Sequence, residues 1–177
     1  MRKIWIPIAA FLLAAVVLFG TYNLTLELRK SKAHDELQKK MAVLLPGSTS
    51  FTTETYIGED ETIAHVYKGD NGYVIATVTD GYAGPIHMLI GVSNDGYVTG
   101  LQVRQMEETF DLGAKALSDW EFLKQFLNTQ GDAAIGENID AISGATVTSK
   151  AVARSINSAV GFVTGADTSS AATSWGG

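Results

Sequence analysis

The chain of 177 residues has no cysteine, only three prolines, and three scattered histidines, His34, His65 and His87. Without cysteine there is no disulfide, no thiolate metal site and no cysteine-linked lipid anchor. Histidines so far apart, two of them in expected strands, read as solvated strand positions before they read as ligands. No G-x-x-x-x-G-K or G-x-G-x-x-G phosphate loop occurs, and no nucleophile–base triad is visible. Positive charge is scarce beyond the first forty residues. From Met41 to Gly177 there are 6 Lys or Arg against 16 Asp or Glu, a net charge of −10. Such a domain is repelled by nucleic acid and by anionic lipid, which excludes a nucleic-acid partner.

What is present begins with an uncharged run, Ile4 to Leu26, whose centre IWIPIAAFLLAAVVLFG is nearly all apolar. About 20 such residues span a bilayer as a helix. The run exceeds the roughly 7–15 apolar residues of a signal peptide, and no A-x-A-type cleavage site follows it. A single-pass anchor over 1–26 is expected, with the lipid bilayer as a partner. Arg2 and Lys3 precede it, whereas Arg29, Lys30, Lys32, Lys39 and Lys40 follow. Because long domains translocate largely regardless of charge, the domain is placed on the extracytoplasmic side, periplasmic or external.

The period of the pattern then divides the chain. Residues 27–46 read as a helical juxtamembrane stem with Leu28, Ala33, Leu37, Met41 and Leu44 at three- and four-residue spacings, stopped by Pro46-Gly47. A fragment beginning near Leu45 is expected to be soluble. Ile63–Gly69, Tyr73–Thr79, Ile86–Ser93 and Tyr97–Val103 alternate as strands. Asp70-Asn71-Gly72 and Asn94-Asp95-Gly96 supply tight hairpins. Ala114–Leu127 has helical spacing, with Leu117, Trp120, Leu123 and Phe126 near one face. Thr148–Val163 reads as a second helix with Val152, Ile156, Ala159 and Val160 inward. The expected fold class is α+β: an antiparallel sheet with covering helices over 47–164, followed by a flexible tail, 165–177.

Two stretches concentrate polar chemistry, whereas the acidic run Gly58–Glu61 reads as a solvated loop. In RQMEETFDLGAK, Thr109 or Asp111 can cap the helix expected from Ala114. In DAISGATVTSKAV, Asp140 to Val152, four hydroxyls crowd around Gly144 and Ala145. One reading makes Ser143 or Thr146 a helix cap. The other sets a threonine hydroxyl at a helix N-terminus, where backbone N–H groups and the dipole favour a phosphate. Both remain open on the residues alone.

DAISGATVTS resembles the flavinylation motif of the covalent FMN-binding domain family, which includes the G subunit of the Rnf ion-translocating complex and the C subunit of the sodium-translocating NADH:quinone oxidoreductase. LLPGSTSF, GYAGPI (Gly81–Ile86), EETFDLG (Glu107–Gly113) and WEFLKQF (Trp120–Phe126) follow the family's order, so the resemblance covers nearly the whole chain. Its short length is closer to the Rnf member. The resemblance implies an electron-carrier subunit of an ion-translocating oxidoreductase, with FMN esterified through its phosphate to Thr146. It implies partner membrane subunits, and a flavin transferase that uses FAD. Ser143, Gly144, Ala145, Thr148, Glu108, Thr109, Leu112, Gly113 and Lys150 are the further cofactor-contacting candidates. Asp140 is assigned to shaping the loop or to being read by the transferase. The family loop usually reads histidine, one residue, then Glu-Thr-Pro-Gly-Leu-Gly. Here Gln105 or Met106 stands near the histidine's place and Phe110-Asp111 replaces Pro-Gly, which alters that wall of the flavin pocket. A flavin-binding regulatory module, or an assembly subunit in which SGAT is only a cap, are the alternatives.

Overall fold

The computed structural model describes residues 18–19, 21–22, 29, 31–106 and 117–166, with backbone only at 105–106. The chain divides into two compact units, Met1–Lys39 and Lys40–Gly177. In the first unit the described residues are helical, and Leu18, Phe19 and Tyr22 expose their side chains. Most of Ile4–Leu26 lies outside the described residues. Among those described, no helix is long and apolar enough to cross a membrane.

The second unit is built on a five-stranded antiparallel meander in sequence order: β1 (Thr52–Glu54), β2 (Ile63–Lys68), β3 (Gly72–Asp80), β4 (Pro85–Ser93) and β5 (Val98–Met106). The four expected strands are all present. Edge strand β1 was not anticipated, because three residues with mostly exposed side chains carry no alternation to read. GYAGPI forms the turn between β3 and β4: Asp80 pairs with Pro85, and the Gly81 N–H donates to the Gly84 carbonyl at 2.9 Å.

Both faces of the sheet are covered. On one lies the long helix Thr146–Thr164, packed on β3 and β4. Its inward stripe, Val152, Ile156, Ala159 and Val160, is fully buried against Ile75, Ile86, Met88, Ile90 and Val92. Residues of the other face, Val74 and Leu89, are fully buried as well. The covering there comes from the end of a first helix, α1 (residues 31–44), of which residues 40–44 belong to this unit. Met41, Leu44 and Leu45 are buried, and the Thr99 hydroxyl donates to the Leu44 carbonyl at 2.6 Å. Gly91 and Gly100 face each other across β4 and β5, and the Leu44 backbone rests on them. A fragment starting near Leu45 would therefore lack buried side chains of the domain itself.

The helix expected over Ala114–Leu127 is broken, and its first three positions, 114–116, lie outside the described residues. Residues 117–118 are helical, Asp119 interrupts, and α2 (Trp120–Leu123) runs into a 3₁₀ turn, Lys124–Phe126. The break has a local cause: the Asp119 carboxylate accepts the Glu121 N–H at 2.9 Å and restarts the helix as its N-cap. The restart turns Trp120 outward, 59% exposed, instead of onto the inner face. Phe122 and Phe126 take the inner positions, their rings edge-to-face at 5.2 Å. The long helix is α3.

Candidate functional site

The four hydroxyls of the Ser/Thr-rich stretch have separate fates. Gly144, with φ +80°, turns the chain, and the Ala145 N–H donates to the Ile142 carbonyl at 2.9 Å. α3 then begins at Thr146 with Ala145 as its N-cap, and among the described residues no side chain caps the N–H groups of the first turn. The expectation that Ser143 or Thr146 caps this helix is thereby corrected. Ala145 holds the cap position and has no side-chain acceptor, while Thr146 is already the first helical residue. Ser143 and Thr146 are exposed.

Thr148 and Ser149 point into the protein and are fully buried. The Ser149 hydroxyl donates to the Ala145 carbonyl at 2.9 Å and accepts the Ile142 N–H at 3.4 Å, tying the loop to the helix it precedes. The Thr148 hydroxyl is buried and has no hydrogen-bond partner among the described residues. That burial removes Thr148 from the surface that a ligand at Thr146 would touch, contrary to its place among the expected contacts. Ala145 is also buried, so it contributes backbone only. Lys150 is half-buried in the second turn of α3, not simply a surface charge. Glu108, Thr109, Leu112 and Gly113 lie outside the described residues.

The remaining arrangement is suited to an anion. An exposed hydroxyl stands at the start of a 19-residue helix whose first N–H groups lack a side-chain cap. The helix dipole adds to the attraction. Val147 beside it is 52% exposed and offers apolar surface for a ring. FMN, with one phosphate and one flat ring system, fits this combination.

At its start the loop is held from a distance. The Asp140 N–H donates to Gln125 Oε1 at 2.8 Å, and Gln125 Nε2 donates to the Asp140 carbonyl at 3.4 Å. The Asp140 carboxylate is exposed and makes no hydrogen bond or ion pair among the described residues.

The FMN-binding domain family matches residues 81–161, from the β3–β4 turn to the last turns of α3. The G subunit of an ion-translocating oxidoreductase complex from Methanosarcina acetivorans is 34% identical over 85% of this chain and 87% of its own length. The chain belongs to this G-subunit family. The G subunit of the proton-translocating ferredoxin:NAD(+) oxidoreductase complex of Clostridium ljungdahlii is 30% identical over 86% of this chain and 85% of its own. The Na(+)-translocating counterpart from Acetobacterium woodii is 35% identical over 61% of this chain and 59% of its own.

A second polar cluster was missed in the sequence. Asp60, within the acidic run read as a solvated loop, lines a groove of about 670 Å³ with Tyr56, Arg154, Ser158 and Phe162. Burial raises the Asp60 pKa, but hydrogen bonds from Ser158 and Thr62 and the nearby Arg154 charge outweigh it, leaving the carboxyl below its ordinary value of 3.8. The Thr62 N–H reaches Asp60 Oδ1 at 2.9 Å. The only sequence signal was a lone Arg154 on the polar side of α3, too weak to pair across 94 positions.

Proposed function

We propose that this chain is the electron-carrying G subunit of a membrane-bound, Rnf-type ion-translocating oxidoreductase, carrying FMN as a phosphoester on Thr146. The observation that carries the assignment to this residue is the free Thr146 hydroxyl at the uncapped N-terminus of α3, in a chain of the G-subunit family. Bound there, FMN supplies electron transfer, and the protein supplies its position and electrostatics. Thr146 would supply the attachment oxygen, the first-turn N–H groups of α3 would hold the phosphate, and Val147 would offer apolar surface to the ring.

Attachment requires a flavin transferase with FAD as donor. The Thr146 oxygen forms a bond to the FMN phosphorus, the pyrophosphate P–O bond breaks, AMP departs, and the hydroxyl proton leaves to a base on the transferase. The domain works outside the cytoplasm, held by a single membrane helix within Ile4–Leu26, where a covalent link prevents loss of a flavin that could not be replaced. Exposed Leu18, Phe19 and Tyr22 on helical backbone support a lipid-facing surface. Its partners are the other membrane subunits of the complex.

The test is to make the full chain together with its transferase and to record intact mass and in-gel flavin fluorescence. Wild type is expected to gain the mass of FMN less one water and to fluoresce after denaturation. Thr146→Ala should fold and lose both signals, whereas Thr148→Ala, altered at a buried position, should keep them wherever it folds. A fluorescent Thr146→Ala band places the acceptor elsewhere.

A further inference from the structure

Two independent anchors hold the loop from Asp140 to Ala145. At its end Ser149 binds Ile142 and Ala145, and α3 fixes Thr146. At its start the anchor comes from another element: a single side-chain amide, that of Gln125, engages both backbone polar groups of Asp140. The backbone that carries this amide is held in place, because the next residue, Phe126, is fully buried against Phe122. With its backbone satisfied in this way, Asp140 presents its exposed carboxylate outward.

Resting on the proposed attachment at Thr146, we infer that Gln125 is a positioning residue for flavinylation. It holds the Asp140 carboxylate in the place where the transferase reads it, while Thr146 is positioned separately by α3. The partner surface implied is one that supplies hydrogen-bond donors or a cation to a carboxylate near the attacking hydroxyl. The division of labour has a kinetic signature. Freeing Asp140 loosens recognition and leaves the reacting oxygen where it was. The defect therefore falls on KM of the transferase for this protein and spares kcat.

The experiment measures labelling rate against concentration of the full chain, purified without flavin in detergent, with transferase and FAD. The proteins are wild type, Gln125→Ala, Asp140→Ala and the double variant. Gln125→Ala is expected to raise KM about five- to tenfold, the scale of one or two hydrogen bonds, with kcat within about twofold. Asp140→Ala should raise KM at least as much, and the double variant no further, since Gln125 acts only through Asp140. Amide exchange should accelerate at Asp140 and Ala141 in Gln125→Ala, and remain unchanged at Ser149. An unchanged KM, a loss in kcat alone, or additive effects in the double variant would overturn the role of Gln125 while leaving the attachment at Thr146 intact. A wild-type chain that never labels sinks the attachment reading and this inference with it.

Discussion

Replacing Gly91 with alanine tests how firmly the end of α1 is built into the domain. A Cβ at this position would lie 2.2 Å from the Leu44 carbonyl oxygen and 2.7 Å from its carbon, both backbone atoms. No rotamer relieves that contact. The helix end must lift, and lifting loosens Met41, Leu44 and Leu45 and breaks the 2.6 Å bond from Thr99. Overpacking of this kind costs about 1–3 kcal/mol, and the lost hydrogen bond adds about 1, giving a loss of about 2–4 kcal/mol. For a domain of this size the corresponding fall in Tm is about 8–15 °C. Gly136 provides the comparison, since nothing lies within 4 Å of its added Cβ and only its φ of +89° resists a side chain. Gly136→Ala should cost about 1–2 kcal/mol, the penalty of the left-handed conformation alone. Thermal and urea unfolding of the full chain in detergent reads both. If Gly91→Ala melts within about 3 °C of wild type, or no lower than Gly136→Ala, the contact between α1 and the sheet does not hold the domain as described.

Three further outcomes are expected. A fragment starting at Lys40 should unfold cooperatively, whereas one starting at Pro46 lacks three buried side chains worth about 2–5 kcal/mol each and should show no cooperative transition by circular dichroism. Asn157→Ala removes a buried side chain that accepts from the Ala133 N–H at 3.1 Å and donates to its carbonyl at 2.9 Å; stranding both groups should lower stability by about 2–4 kcal/mol in urea titrations. Because the folded pKa of Asp60 is depressed, its contribution is complete above the unfolded carboxyl value and disappears as pH falls through the folded one. Asp60→Asn should therefore be less stable than wild type at pH 6, with the gap closing toward pH 3; an equal gap at both ends would refute the linkage.

The sheet was legible because its strands are short runs rich in β-branched and aromatic residues set between turns of glycine, asparagine and aspartate. Strand β1 and the break at Asp119 were not, since the first shows no alternation and the second depends on one carboxylate choosing a cap over a helix interior. Thr146 stood out through its motif, yet its exposure and the vacant side-chain cap follow from Ala145 taking the cap position, which spacing alone does not decide. The hold of Gln125 on Asp140 joins residues fifteen apart through a 3₁₀ turn with no sequence signature. Strand glycines do signal close backbone approach, but nothing local told that Leu44 would be what approaches Gly91 and Gly100.

The position of α3 in the chain also governs when the domain can close. The meander is complete at Met106, but the face of Ile75, Ile86, Met88, Ile90 and Val92 lacks its long covering helix until residues 146–164 follow. At about 5–20 residues per second, the emerging chain carries that incompletely covered apolar face for several seconds while the last segment is synthesised. The segment that finally seals the core is the same one whose first residue is Thr146. A molecule that has failed to bury its sheet therefore also lacks the ordered helix start on which the proposed attachment at Thr146 depends, so under that proposal folding precedes labelling.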